Sequence, residues 1–166
     1  MPEISITDPR AADVRRLLER HLDFAQSHVP PKDRHALNAD ALAAADIDFY
    51  ALRLDGELLA VGALRRLDNG HAEIKSMHTA EAARRRGFGR AMLDHLLAVA
   101  RERGFRRVSL ETGSMPAFAP ARSLYASAGF SVCGPFGGYS DSENKTFMTL
   151  AMSPFTASAV AQCDEQ

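Results

Sequence analysis

Residues 78–105 read HTAEAARRRGFGRAMLDHLLAVARERGF, and the fold turns on how this stretch is read. Met92, Leu93, Leu96, Leu97 and Ala100 recur at helical spacing and form one apolar stripe. Gly104 is placed to end that helix, and Arg101 and Arg103 suit its negative end. The other end is anomalous. A helix start carries partial positive charge and favours acidic side chains, yet Arg84, Arg85, Arg86 and Arg90 crowd it, interrupted by Gly87, Phe88 and Gly89. A ligand that brings its own negative charge resolves the conflict. Glycines let the backbone approach such a ligand closely. Free N–H groups from about Arg85 to Arg90 then converge on one spot, where a pyrophosphate answers the helix dipole. Two other phosphate-binding readings fail. A P-loop requires a Gly-Lys-Ser/Thr ending that is absent, and a dinucleotide fingerprint requires a third glycine where Met92 stands.

Upstream, residues 48–79 (DFYALRLDGELLAVGALRRLDNGHAEIKSMHT) hold three strand-like runs. Asp55-Gly56 and Asp68-Asn69-Gly70 are turn signals between them, so residues 47–79 read as an antiparallel meander. Before it, EISITD (3–8) reads as a strand with Ile4 and Ile6 alternating against polar neighbours. Thr7 or Asp8 is then placed to cap a helix bearing Val14, Leu17, Leu18, His21, Leu22 and Ala25. Pro30 and Pro31 end it, and a short second helix is expected over Leu37–Ala44. Downstream, RRVSLETG (106–113) reads as a strand parallel to AEIKSMHT (72–79). A helix follows from near Pro120 to Gly129, then strands in FSVCGPF (130–136) and NKTFMTLAM (144–152). The order is β-α-α-β-β-β-α-β-α-β-β, an α/β protein built on one mixed, mostly antiparallel sheet flanked by helices. One domain is expected over residues 1–153, with 154–166 a loosely ordered tail.

Composition narrows the partners. The chain has 166 residues and a formal net charge of -1, which argues against nucleic acid or an anionic membrane as the main partner. Its two cysteines, Cys133 and Cys163, form neither a metal-ligand cluster nor a disulfide framework, so no metal is expected and a reducing cytoplasm fits. The N-terminus lacks the pattern of a signal peptide, and no apolar run approaches a membrane span.

Arg84-x-x-Gly87-x-Gly89 resembles the pyrophosphate-binding signature of the GCN5-related N-acetyltransferase (GNAT) family. SLYASAGF (123–130) is similar to that family's Leu-Tyr-x-x-x-Gly-Phe ending, and the order of elements matches over roughly residues 3–152. PPKDRHALNADAL (30–42), AEIKSMHT (72–79), SLETGSM (109–115) and CGPFGGYSDSENKTFMTL (133–150) look like a bacterial subgroup of largely uncharacterised acetyltransferases.

The resemblance implies a GNAT fold and transfer of an acetyl group from acetyl-CoA to an amine by direct attack in a ternary complex. An alkyl ammonium has a pKa of about 10.4, so a base must free its lone pair. By resemblance, Tyr125 is the acid for the coenzyme sulfur, and Glu73 is the base, with Glu111 and His78 in reserve. Glu73 also has an ordinary reading, pairing with Lys75 or with a cross-strand Arg65 or Arg66. The resemblance places the backbone of Met77, His78 and Thr79 beside the pantetheine, and Arg84, Arg85, Arg86, Gly87, Phe88, Gly89 and Arg90 at the pyrophosphate. Strand alternation puts Glu73, Lys75, Met77 and Thr79 on one face and Ile74, Ser76 and His78 on the other, unless a bulge shifts the parity. One departure stands out: many members carry an asparagine where this chain has Phe118.

The acceptor is expected to be a small-molecule or peptide amine. His28, His35, Tyr50, Tyr139 and Asp141 are candidates for its pocket by location only, with surface or core packing the ordinary and more frequent reading for each, and Cys133 reads as a small buried hydrophobe. Rival readings are a non-catalytic acyl-CoA-binding sensor and an acyltransferase using another acyl-CoA. The fold is compatible with a monomer or a homodimer.

Overall fold

The computed structural model describes residues 1–153, and the tail expected over 154–166 lies outside the described residues. The elements follow the order read from the sequence: β1 (Glu3–Ile6), α1 (Ala12–His28), α2 (Ala39–Leu42), β2 (Ile47–Leu54), β3 (Glu57–Arg66), β4 (His71–Thr79), α3 (Phe88–Glu102), β5 (Arg107–Gly113), α4 (Ala119–Ser127), β6 (Ser131–Cys133) and β7 (Lys145–Ala151). They form one sheet in the order β1-β2-β3-β4-β5-β7-β6. Only β4 and β5 are parallel neighbours, as expected where a helix connects them.

The sheet is covered on both faces, so β2 and β3 read as nearly continuous apolar runs. Val14, Leu17 and Leu18 of α1 pack with Leu42, Phe49, Val61 and Ala63 on one face. Met92, Leu93 and Leu96 of α3 and Tyr125 of α4 pack with Tyr50, Leu52, Leu64 and Ile74 on the other. The stripe read from the opening stretch is therefore the core face of α3. Each fully buried leucine there stabilises the fold by about 1.5–3 kcal/mol.

Four local expectations need correction. Neither Thr7 nor Asp8 caps α1: Asp8 pairs with Arg10, and Thr7 donates to the Ser5 carbonyl. The second helix is one turn, Ala39–Leu42, because Asn38 caps it by accepting from the Ala41 N–H and so sets its start. Ile6 is exposed although Ile4 packs on the core, since β1 is a short edge strand. On β4, three steps from Lys75 to His78 span two on β3 from Ala63 to Val61, and Ser76 has φ +55°. This bulge reverses the simple alternation, so Met77 joins Ile74 on the α3 face while His78 meets His21 of α1.

Gly62 lies where α3 crosses β3: a Cβ there would stand 2.9 Å from Met92 Cγ and 3.1 Å from Leu96 Cδ1. Gly62→Val is expected to lower the unfolding free energy in urea by about 1–3 kcal/mol, because the core cannot yield without strain. Adding Met92→Ala should recover part of that loss.

Candidate active site

The pairing of β4 with β5 runs from His71–Arg107 to Ile74–Leu110 and stops, although both strands continue. Past that point they bound a half-open cavity of about 160 Å³. Glu73 to Met77 line it from β4, and Leu110 to Gly113 line it from β5. His21 and Leu22 of α1, the segment 33–36, Phe118, Tyr125 and Lys145 complete its walls. Ser76 lines it as well, and its Oγ is buried with no hydrogen-bond partner among the described residues.

The glycine-arginine turn comes next along the chain. Arg85 and Gly87 both have positive φ (+64° and +84°), and Gly87 is the residue at which α3 begins. The first helical bond runs from the Ala91 N–H to the Gly87 carbonyl, and no side chain caps the helix. The N–H groups of Phe88, Gly89 and Arg90 are thus left without a helical acceptor. The arginines lie around rather than in this turn. Arg84 Nε reaches the Thr79 carbonyl at 3.4 Å, Arg86 stacks over the Phe88 ring at 4.9 Å, and Arg90 bonds Asp94 at 2.9 Å. Gly89 sits close to Thr79 and Leu124, which ties the turn to β4 and α4. An anion with several oxygens fits this set of donors.

Tyr125 is 7% exposed and lines the cavity. Burial pushes its phenol up to about 12, so it stays protonated at neutral pH. Phe118 lies against Gly113, where a Cβ would stand 2.2 Å from its ring, and it forms the wall beside Tyr125.

A polar cluster occupies the far end. Tyr139 Oη donates to Glu73, 2.9 Å from Oε2 and 3.2 Å from Oε1. Lys75 Nζ donates to Tyr139 Oη at 2.9 Å and lies 3.4 Å from Glu73 Oε2. Arg65 lies 4.0 Å from Glu73 across the ladder, so the ordinary pairing foreseen for Glu73 is present. Burial, and then the adjacent Glu73, push the Tyr139 phenol up. His35 Nδ1 is 2.7 Å from Glu111 Oε2, and its ring stacks on Tyr139 with centroids 4.8 Å apart. Asp33 accepts from Asn144 and Ser142, which hold its carboxyl below the usual range, and Lys145 lies 3.6 Å away.

Of the five acceptor-pocket candidates, His35 and Tyr139 join this cluster. Tyr50 instead packs in the core on the α3 face against His95, because β2 buries that position. Asp141 caps its own turn at Ser142, and His28 packs on Phe24 and Phe118. Asp33, Asn144 and Lys145 carried no sequence signal, since nothing in their spacing predicts that residues over 100 positions apart will meet.

The sequence model of the acetyltransferase (GNAT) family matches residues 13–130. The chain belongs to that family. Family membership makes it an acetyl-CoA-dependent N-acetyltransferase. This GNAT chain is 42% identical over 146 residues to the uncharacterized N-acetyltransferase YsnE of Bacillus subtilis, covering 88% of this chain and 97% of that protein. It is 35% identical over 139 residues to the uncharacterized N-acetyltransferase YedL of Escherichia coli, covering 84% and 87%. The crystal structure of a GNAT-family acetyltransferase from Staphylococcus aureus superposes with a TM-score of 0.71 at 16% identity, covering 92% of this chain and all of that one. That likeness concerns the fold alone. Among the described residues, no group of three or more His, Cys, Asp or Glu side chains could hold a metal ion, and no helix is long and apolar enough to cross a membrane.

Two half-buried histidines near the cavity set a pH dependence. His21 and His78 face each other through Nδ1 at 3.3 Å. Burial pushes His21 down to about 4, and burial together with His21, Arg84 and Arg20 pushes His78 down to about 3. Above the ordinary value of 6.5 both states are neutral and stability is unaffected. Below it, the unfolded chain takes up protons that the folded chain refuses, so stability falls by up to about 1.4 kcal/mol per histidine per pH unit. Urea denaturation between pH of about 6.5 and about 5 should show this decline. His21→Leu should make it shallower; an unchanged slope would show that His21 does not hold off protons in the folded state.

Proposed function

We propose that the chain acetylates a primary amine by direct attack within a ternary complex, in the cavity where β4 and β5 part. One observation carries this reading: a single opening between the parted strands is lined by the buried phenol of Tyr125 and by a cluster of acid and base side chains, and the uncapped start of α3 follows β4 directly along the chain. Bound acetyl-CoA supplies the thioester carbonyl that accepts the amine and the sulfur that leaves. The N–H groups at Phe88, Gly89 and Arg90 hold the pyrophosphate, with Arg84, Arg85, Arg86 and Gly87 shaping that turn. The bulged backbone of Met77, His78 and Thr79 runs beside the pantetheine and offers strand-like hydrogen bonds to it. Tyr125 donates its phenolic proton to the departing sulfur. Burial disfavours the phenolate this leaves, so the proton is replaced from the attacking nitrogen as the amide forms.

Glu73, the base suggested by resemblance, has both carboxylate oxygens engaged by Tyr139 and one near Lys75. As base it would first have to give up the Tyr139 bond, so its role in the geometry described is to anchor the segment that carries Tyr139. His78, pushed down to about 3, is too weak a base to hold a proton taken from an ammonium. Among the described residues no cysteine lines the cavity, which favours direct transfer over an acyl-enzyme. The volume lies below the roughly 300–1,000 Å³ of sites for drug-sized ligands, which suits a small amine or the amino end of a peptide.

A thiol-release screen with acetyl-CoA against a panel of primary amines and short peptides tests the reading, with amine-dependent release expected. Tyr125→Phe should lower turnover at least about tenfold with coenzyme binding retained, and unchanged turnover would remove Tyr125 from the chemistry. At Gly87 a Cβ has open space but φ is +84°. Gly87→Ala should therefore cost about 1 kcal/mol through the backbone alone and weaken coenzyme A binding in calorimetry.

A further inference from the structure

We propose that His35 takes the proton from the acceptor's ammonium and that Glu111 positions its ring for that task. The inference rests on the acetyl-transfer reading above.

Glu111 is the first residue of β5 beyond its last pair with β4, Ile74–Leu110, so it stands at the apex of the opening. Its Oε2 lies 2.7 Å from His35 Nδ1. With Nδ1–H donated to that carboxylate, the lone pair resides on Nε2. The ring cannot swing freely, because its face rests on Tyr139 with the planes only 19° apart. The two side chains are 27% and 13% exposed, open enough for an amine to arrive and for water to carry the proton away. Glu73 differs: its side chain is 1% exposed and it already accepts from Tyr139 with Lys75 beside it. The other charged groups around the cavity are Asp33 and Arg34 from the segment bearing His35, Glu73 and Lys75 from β4, and Lys145 from β7. Arg34 is tied to the Val29 and Gln26 carbonyls, and both lysines are paired with carboxylates.

The ammonium N–H bond breaks as the Nε2–H bond of His35 forms, and the freed lone pair makes the new C–N bond. Tyr125 gives its proton to sulfur as the C–S bond breaks and regains one from the nitrogen, leaving a neutral amide. His35 then returns its proton to water.

Two probe nucleophiles separate this role from a structural one: n-butylamine, an ammonium at neutral pH, and hydroxylamine, largely neutral there. His35→Asn should slow acetylation of n-butylamine at least about tenfold more than that of hydroxylamine, and added imidazole should restore part of the n-butylamine rate. Glu111→Gln should lower kcat for n-butylamine while leaving KM for acetyl-CoA unchanged. Glu73→Gln should affect both probes alike. In the protein alone, nitrogen NMR of labelled histidine should find His35 as the Nδ1–H tautomer. Equal losses on both probes in His35→Asn, a selective loss in Glu73→Gln instead, or an Nε2–H tautomer would overturn the assignment. If the unaltered protein released thiol with neither probe nor any panel amine, while the tautomer was as expected, the transfer reading of the cavity would fail and this one with it.

Discussion

Beyond Ile74 and Leu110, β4 and β5 no longer share hydrogen bonds, and most of the cavity's chemistry follows from that parting. A parallel pair that stayed in register would satisfy its own N–H and C=O groups and leave no room between the strands. Here Ser76 takes a left-handed conformation and β4 gains a residue against β3. The strand stays attached to β3 on one side and turns away from β5 on the other. The same bulge rotates Met77 into the core and His78 towards α1. It leaves backbone groups of β4 without a partner strand on the β5 side, where only a ligand or solvent can satisfy them.

The charges inside that space are arranged in pairs, since an isolated buried charge would be costly. Lys75 lies beside Glu73 and Lys145 beside Asp33. These contacts draw the segment around residues 33–35, the loop before β7 and the middle of β4 onto one another. Tyr139 is the hinge of the arrangement, bonded to Glu73 and Lys75 by its hydroxyl and stacked on His35 by its ring. The cluster thus both closes that end of the cavity and holds the His35 ring beside Glu111. Tyr125, on α4, approaches the cavity from the α3 face of the sheet, so its phenol and the polar cluster enter from separate structural elements.

Much of the architecture was legible because periodicity reports burial directly. The α3 stripe, the Asp55-Gly56 hairpin and the strand-helix-strand unit around the glycine-arginine turn are local patterns with few physical alternatives. Alternation also placed Glu73 and Lys75 on one face correctly. It failed two residues later, because a bulge is a response to neighbouring strands and not to the six residues that contain it. Tyr50 was open between pocket and core packing for a similar reason, and the structure takes the core reading: an aromatic residue with a polar tip reads as either until the facing helix is known. His35 and Tyr139 could be named only by location, since each gains its role from partners far away in the chain.

By itself, the sequence determined the element order, the apolar faces and the anomaly of cations at a helix start, and through these the family. Such features depend on neighbours within a few turns of helix or strand, where spacing translates directly into direction. Tertiary structure alone decided where β4 leaves β5, which carboxylates are already engaged and which histidine keeps a lone pair available. Those outcomes depend on hydrogen bonds of about 3 Å between residues as distant as Asp33 and Asn144, and no local pattern encodes a distance across the fold.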